Sequence, residues 1–170
     1  MKELIIPVRD KYDTLNKDGQ KPIVKVWSRA VFEKQDISQQ FQYAISIQEF
    51  DQFPEVVRPD YKGKRLNLYF FDSNLEEGWG YPLEYDIDQL YDFSKKWVEE
   101  AKKDVFSARL VVHCLAGISR SAASAMMPLT LFYDGDYQKA SEHLFEYYPY
   151  VMPNSLILRL IKNKLGLNPK

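Results

Sequence analysis

The sequence predicts an α/β fold in which a central sheet is flanked by helices and one anion-binding loop joins a strand to a helix. Three observations carry that expectation. Strand-like and helix-like segments alternate; three helical segments follow one another late in the chain; and a short loop, His113-Cys114-Leu115-Ala116-Gly117-Ile118-Ser119-Arg120-Ser121, falls where a strand gives way to a helix.

The strands are runs rich in β-branched and aromatic residues bounded by turn formers: Ile23 to Trp27, Phe41 to Ile47, Arg65 to Phe71 and Arg109 to His113. Between the third and fourth, Ile87, Leu90, Tyr91, Trp97, Val98 and Ala101 recur near helical spacing. An amphipathic helix from about Tyr85 to Lys103 follows, and with it a strand–helix–strand crossover. Three more helices are expected, near Ser121 to Tyr133, Tyr137 to Tyr148 and Asn154 to Leu165, separated by Asp134-Gly135-Asp136 and by Pro149 to Pro153. Pro128, inside the first of these, predicts a kink or an early helix end, because it lacks an N–H and crowds the preceding turn.

With 170 residues, 45% apolar and 15% aromatic, the chain suits one domain, 1–170, with a sizeable core. No repeat, low-complexity tract or Gly/Ser linker divides it. A formal net charge of -1 offers no basic footprint for DNA, RNA or an anionic membrane. The single cysteine excludes an intramolecular disulfide, and the apolar run in Met1 to Pro7 is too short for a signal peptide or a membrane span. A cytoplasmic chain without nucleic-acid or membrane partners is expected, its oligomeric state open.

Chemistry concentrates in the loop after the fourth strand. In α/β sheets ligands bind beyond the carboxyl ends of strands, and a helix starting there directs free N–H groups and its positive dipole end at the ligand. Gly117 lets backbone N–H groups turn inward, and Arg120 offers a planar, bidentate grip on two phosphate oxygens. The same field should hold Cys114 as a thiolate, as cations and helix N-termini do for reactive cysteines. A thiolate beside a bound phosphate is an in-line nucleophile.

His113-Cys114, Gly117, Arg120 and Ser121 resemble the His-Cys-x-x-Gly-x-x-Arg-Ser/Thr signature of the protein tyrosine phosphatase superfamily, without gaps. The stretch from Val112 to Ala123 is similar to small bacterial tyrosine-phosphatase-like proteins related to the dual-specificity phosphatases, and a weaker resemblance runs from about Trp27 to Leu165. It implies that fold and a two-step reaction: attack by Cys114 gives a cysteinyl-phosphate, which is then hydrolysed, with no metal or other cofactor. It implies that Leu115, Ala116, Gly117, Ile118, Ser119 and Arg120 cradle the phosphate. His113 would order the loop and help set the ionisation of the sulfur, and Ser121 would hydrogen-bond the sulfur and ease its departure. The plain readings stand beside these: Cys114 a small buried hydrophobe, His113 a strand-end imidazole satisfied by nearby backbone, Ser121 a helix-start hydroxyl.

The leaving oxygen needs a proton, so a carboxylic acid should reach the loop. Asp72 follows the third strand and belongs at its carboxyl end; Asp60, in Arg58-Pro59-Asp60, superficially resembles the acid loop of larger tyrosine-specific enzymes but precedes that strand. Asp72 is therefore preferred, and an ordinary turn aspartate is the alternative. Gly78 and Gly80 around Trp79 suggest a closing loop with Trp79 or Tyr81 as an aromatic wall, or else local packing. Glu76, Glu77, Glu84, Asp86 and Asp88 read as solvated charges, and Asn154 as a helix N-cap that also resembles a pocket-rim asparagine of short members of the family.

The loop contains no lysine, unlike the basic loops of phosphoinositide phosphatases in the superfamily. Phosphotyrosine in a protein or peptide leads as substrate, and phosphoserine and phosphothreonine stay open because the chain lacks room for pocket-deepening segments. The rivals are a non-catalytic phosphopeptide-binding module, an RNA 5′-phosphatase, and a sulfurtransferase or arsenate reductase. The RNA reading wants a basic groove, and the arsenate route usually wants further cysteines.

Overall fold

A computed structural model describes residues 21–35, 40–50 and 60–168; Met1 to Pro7, Arg58 and Pro59 lie outside that range. In chain order the elements are β1 (Val24–Ser28), α1 (Arg29–Lys34), β2 (Tyr43–Gln48), β3 (Lys64–Tyr69), α2 (Glu84–Lys103), a 3-10 turn (Val105–Ser107), β4 (Leu110–Cys114), α3 (Arg120–Phe132), α4 (Tyr137–Tyr147) and α5 (Ser155–Lys164). The four strands form one sheet in the order β1-β4-β2-β3, parallel throughout. This is the α/β sheet flanked by helices that the alternation predicts.

β4 lies between two neighbours and under helices, so all five of its residues are buried and it reads as a continuous run rather than an alternating one. One face of the sheet carries most of the core. There α2, α3, α4 and α5 pack together, with Trp97, Leu90, Leu110, Met127 and Ile157 fully buried. The Trp97 indole N–H donates to the Ala108 carbonyl at 2.7 Å, so the largest core side chain leaves no polar atom unpaired. The opposite face is covered by α1, whose Phe32 packs with Phe41, Ala44 and Val111. Burying Phe32 alone contributes about 2 to 3 kcal/mol.

α1 carries no signal in the sequence. Its six residues are too short for a helical period to show, and it is held by tertiary contacts instead. Ser28 caps it by accepting from the Val31 N–H at 3.3 Å, and Arg29 pairs with Glu33 one turn on at 2.7 Å. The early end expected at Pro128 does not occur: α3 runs on to Phe132 and stops at Asp134 and Gly135, both with positive φ, where the Gly135 N–H reaches the Thr130 carbonyl at 2.9 Å. Every residue of α3 from Arg120 to Thr130 is buried, so packing on all sides holds the helix through the proline.

Candidate active site

Because all four strands are parallel, their carboxyl ends share one edge of the sheet. Ser28 pairs with Cys114, and Gln48 with Tyr69. Glu49, Phe70 to Asp72 and the loop after Cys114 therefore meet there. Asp60 precedes β3 and stands at the opposite end, remote from Cys114, as the strand order requires.

Cys114 ends β4 with 2% of its surface exposed. Its Sγ lies 3.1 Å from the Ser121 hydroxyl and accepts from the Gly117 N–H at 3.3 Å. The loop's carbonyls are held outward: Leu115 O accepts from the Arg29 N–H (3.1 Å), Ile118 O from Met152 (3.0 Å), and Ser119 O from Asn154 (3.1 Å). In a planar trans peptide the N–H points opposite to the carbonyl. The N–H groups of Ala116, Ser119 and Arg120 are thereby aimed away from those partners, at the start of α3. N–H groups gathered at a helix start suit an anion.

Gly117 is required twice over. Its φ of +72° is one side chains avoid, and a Cβ there would lie 2.6 Å from the Ser28 N and the Trp27 carbonyl carbon. The loop therefore lies directly against the end of β1.

Arg120 is 4% exposed, with Nη1 donating to the Phe70 carbonyl at 2.8 Å and Nη2 paired with Glu49 Oε1 at 3.2 Å. A buried guanidinium needs such partners. Glu49 was not anticipated from the sequence. It directly follows β2, so the strand-end rule that selects Asp72 selects it too, applied one strand earlier.

Asp72 meets the loop directly. Its Oδ1 accepts from the Ser119 hydroxyl at 2.7 Å and from Asn154 Nδ2 at 2.8 Å. Asn154 also donates to the Ser73 carbonyl at 2.9 Å, and its Oδ1 caps α5 by accepting from the Ile157 N–H at 2.9 Å. One side chain is both helix cap and loop tether.

His113 faces the other side of the sheet, stacked on Phe32 with ring centroids 3.9 Å apart. Its Nε2 lies 2.7 Å from the Ser46 hydroxyl, which accepts from Arg65 Nε at 2.8 Å. Burial first, then the nearby Arg65 charge, pulls its pKa down to about 3, with the Cys114 backbone acting weakly the other way. His113 is therefore a neutral imidazole at physiological pH. Ser46 and Arg65, its partners, carried no signal in the sequence beyond lying on strands.

Trp79 and Tyr81 lie in the loop beside β3, where the Gly80 carbonyl accepts from the Phe71 N–H at 2.7 Å. Among the acidic residues nearby, Glu76 pairs with Arg159 at 3.2 Å and Asp88 with Lys164 at 2.8 Å. Among the described residues no helix is long and apolar enough to cross a membrane.

No family model matches the chain. A segment of 72 residues, 42% of the chain, is 33% identical to mouse (Mus musculus) protein phosphatase Slingshot homolog 3 and spans 11% of that protein's length. Three solved structures share the architecture. Human DUSP28 superposes with a TM-score of 0.62 at 18% identity, covering 85% of this chain and 92% of that one. The human tyrosine phosphatase-like serine/threonine/tyrosine-interacting protein gives 0.55 at 18%, covering 75% and 78%. PTPMT1 in complex with PI(5)P gives 0.59 at 16%, covering 85% and 90%. The chain has the fold of the tyrosine and dual-specificity phosphatases, in agreement with the resemblance carried by its loop.

Proposed function

We propose that the chain is a cysteine-dependent phosphatase domain that hydrolyses phosphate monoesters of proteins or peptides, phosphotyrosine first, with phosphoserine and phosphothreonine open. The observation that carries the reading is the position of Cys114 Sγ, 3.1 Å from the Ser121 hydroxyl and beside N–H groups gathered at a helix start, with the Arg120 guanidinium at the start of the same helix.

The phosphate dianion enters the loop and is held by those N–H groups and by the donors of Arg120 that Phe70 and Glu49 leave free. The Cys114 thiolate attacks phosphorus in line; the S–P bond forms as the bond to the ester oxygen breaks, and Asp72 gives that oxygen its proton. Ser119 and Asn154 both donate to Oδ1 of Asp72, which leaves Oδ2 to carry the proton. In the second step water attacks phosphorus, Asp72 takes a proton from it, and the S–P bond breaks with the Ser121 hydroxyl donating to the departing sulfur.

The absence of lysine in the loop argues against polyphosphorylated lipid headgroups, and a net charge of -1 argues against an RNA substrate. A lone cysteine suits the reducing cytoplasm. The test compares wild type with Cys114→Ser and Arg120→Ala on an aryl phosphate and on phosphopeptides. Cys114→Ser should bind phosphate without turnover, and Arg120→Ala should lose both. Turnover in Cys114→Ser within tenfold of wild type refutes the mechanism, and phosphopeptide binding by a wild type that turns nothing over would make it a binding module.

A further inference from the structure

Ser46, His113 and Arg65 form a polar row across three strands. Ser46 stands directly opposite His113 in the β2–β4 register, and Arg65 stands opposite Ala44, two residues before Ser46, in the β2–β3 register. Side chains alternate along a strand, so all three lie on the face that α1 covers, with Ala44 and Val111 of the Phe32 cluster. Phe32 roofs the row: the His113 ring stacks on it with centroids 3.9 Å apart, and the Arg65 guanidinium lies 5.3 Å from its centroid. Ser46 and Phe32 are fully buried and His113 is 1% exposed, so their hydrogen bonds form away from bulk water.

Proton counting gives the row a direction. Arginine donates and never accepts, so the Arg65 Nε contact at 2.8 Å makes the Ser46 oxygen an acceptor. The hydroxyl still has its own proton to place. Among the described residues its one other partner is His113 Nε2, at 2.7 Å, so the proton goes there. Any other arrangement strands a buried donor. A neutral imidazole that accepts at Nε2 carries its proton on Nδ1. Nδ1 is buried and closes no hydrogen bond of its own. The Cys114 backbone nevertheless raises the proton affinity of the ring, and with Nε2 taken by Ser46 that influence falls on Nδ1. A carbonyl acting on an N–H has this sign.

We propose that Ser46 is a positioning residue: its hydroxyl, oriented by Arg65, fixes the His113 tautomer with the proton on Nδ1, facing the backbone of Cys114, and so favours the ionised sulfur. In the other tautomer a lone pair faces that backbone, and its partial negative charge opposes a thiolate on the same residue. Among the described residues the charged groups acting on the imidazole are Arg65 of β3 and Arg29 of α1. Both are cations, and neither takes the proton from Nδ1. The effect on the sulfur rests on the phosphatase reading; the tautomer does not.

Nitrogen NMR of His113 in wild type, Ser46→Ala and Ser46→Thr reads the tautomer directly. Wild type should show a protonated Nδ1 and a bare Nε2. Ser46→Ala should populate the Nε2–H form, and Ser46→Thr, which keeps a hydroxyl, should restore the wild-type pattern. If Ser46→Ala does not fold, the wild-type spectrum still decides the tautomer. Alkylation of Cys114 by iodoacetamide then reads the sulfur. At mildly acid pH it should be about threefold slower or more in Ser46→Ala, and the difference should close at high pH, where the thiol ionises in every variant. A proton on Nε2 in wild type, a tautomer indifferent to Ser46→Ala, equal alkylation at every pH, or a slowing that persists at high pH overturns the proposal. If nitrogens and alkylation behave as expected while no phosphate ester is hydrolysed, the phosphatase reading fails and the role of Ser46 stands.

Discussion

The Ser119 hydroxyl donates to Asp72 Oδ1 at 2.7 Å, tying the loop after β4 to the segment that follows β3. The carboxyl is thus held at the mouth of the loop, with Asn154 on the same oxygen. Asp72→Asn keeps these partners and removes the proton. It should lower turnover of a phosphopeptide by roughly 10² to 10⁴, and less for an aryl phosphate whose leaving group needs no proton. Steady-state kinetics on both substrates check this. A larger drop in Asp60→Asn would show that the acid comes from the other end of the sheet.

Gly117 provides a test of the loop's framework. Gly117→Ala forces a side chain into a left-handed backbone and against the Trp27 and Ser28 backbone at 2.6 Å. Stability should fall by about 2 kcal/mol or more, and phosphate binding should be lost even where the variant remains folded. Urea denaturation and phosphate titration measure the two effects, and an active, equally stable variant would contradict the packing of the loop on β1.

Two buried histidines set the acid side of the stability profile. His113 and His143 both have pKa values lowered from 6.5 to about 3, in each case mainly by burial. The native state keeps them neutral while the unfolded chain protonates them near pH 6.5. Their contribution is therefore fully present above that pH and is lost as the pH falls towards 3. Each adds a slope approaching about 1.4 kcal/mol per pH unit. Unfolding free energies at pH 7, 6 and 5 should show it before most carboxylates titrate, and His113→Gln or His143→Gln should each remove about half, whatever happens to absolute stability.

Oxidation should inactivate, because Cys114 is the only cysteine and no partner can protect its sulfenic acid as a disulfide. The sulfur is 2% exposed, at the base of the loop. Peroxide must then arrive through the loop, and phosphate or vanadate bound there as proposed should slow inactivation strongly. Added thiol should restore activity only early, before sulfinic acid forms. Intact mass and activity, followed together through graded peroxide, are the readout; full activity while other residues oxidise would count against an ionised Cys114.

Much of this was legible in the chain. The strands and long helices announce themselves through runs and periods, and a glycine, an arginine and a hydroxyl at fixed distances from Cys114 describe one loop because they are close in sequence. Asp72 was found by a topological rule, since its 42-residue separation from Cys114 leaves no local signal. Glu49 obeys the same rule but was passed over, because a carboxylate after a strand is common and only the buried Arg120 makes it meaningful. α1 and the Ser46–His113–Arg65 contacts were illegible for a related reason: they depend on which strands become neighbours in the sheet.

The central claim is that phosphate passes through a covalent bond to Cys114. Ser121→Ala removes the hydroxyl 3.1 Å from the sulfur and should slow the second step more than the first. Mixed rapidly with an aryl phosphate and quenched, this variant should show a burst of released alcohol and a mass increase of roughly 80 Da, one phosphoryl group, on the peptide containing Cys114. A burst with phosphate on another residue, or unburdened turnover with no covalent phosphate at any time, would contradict the account.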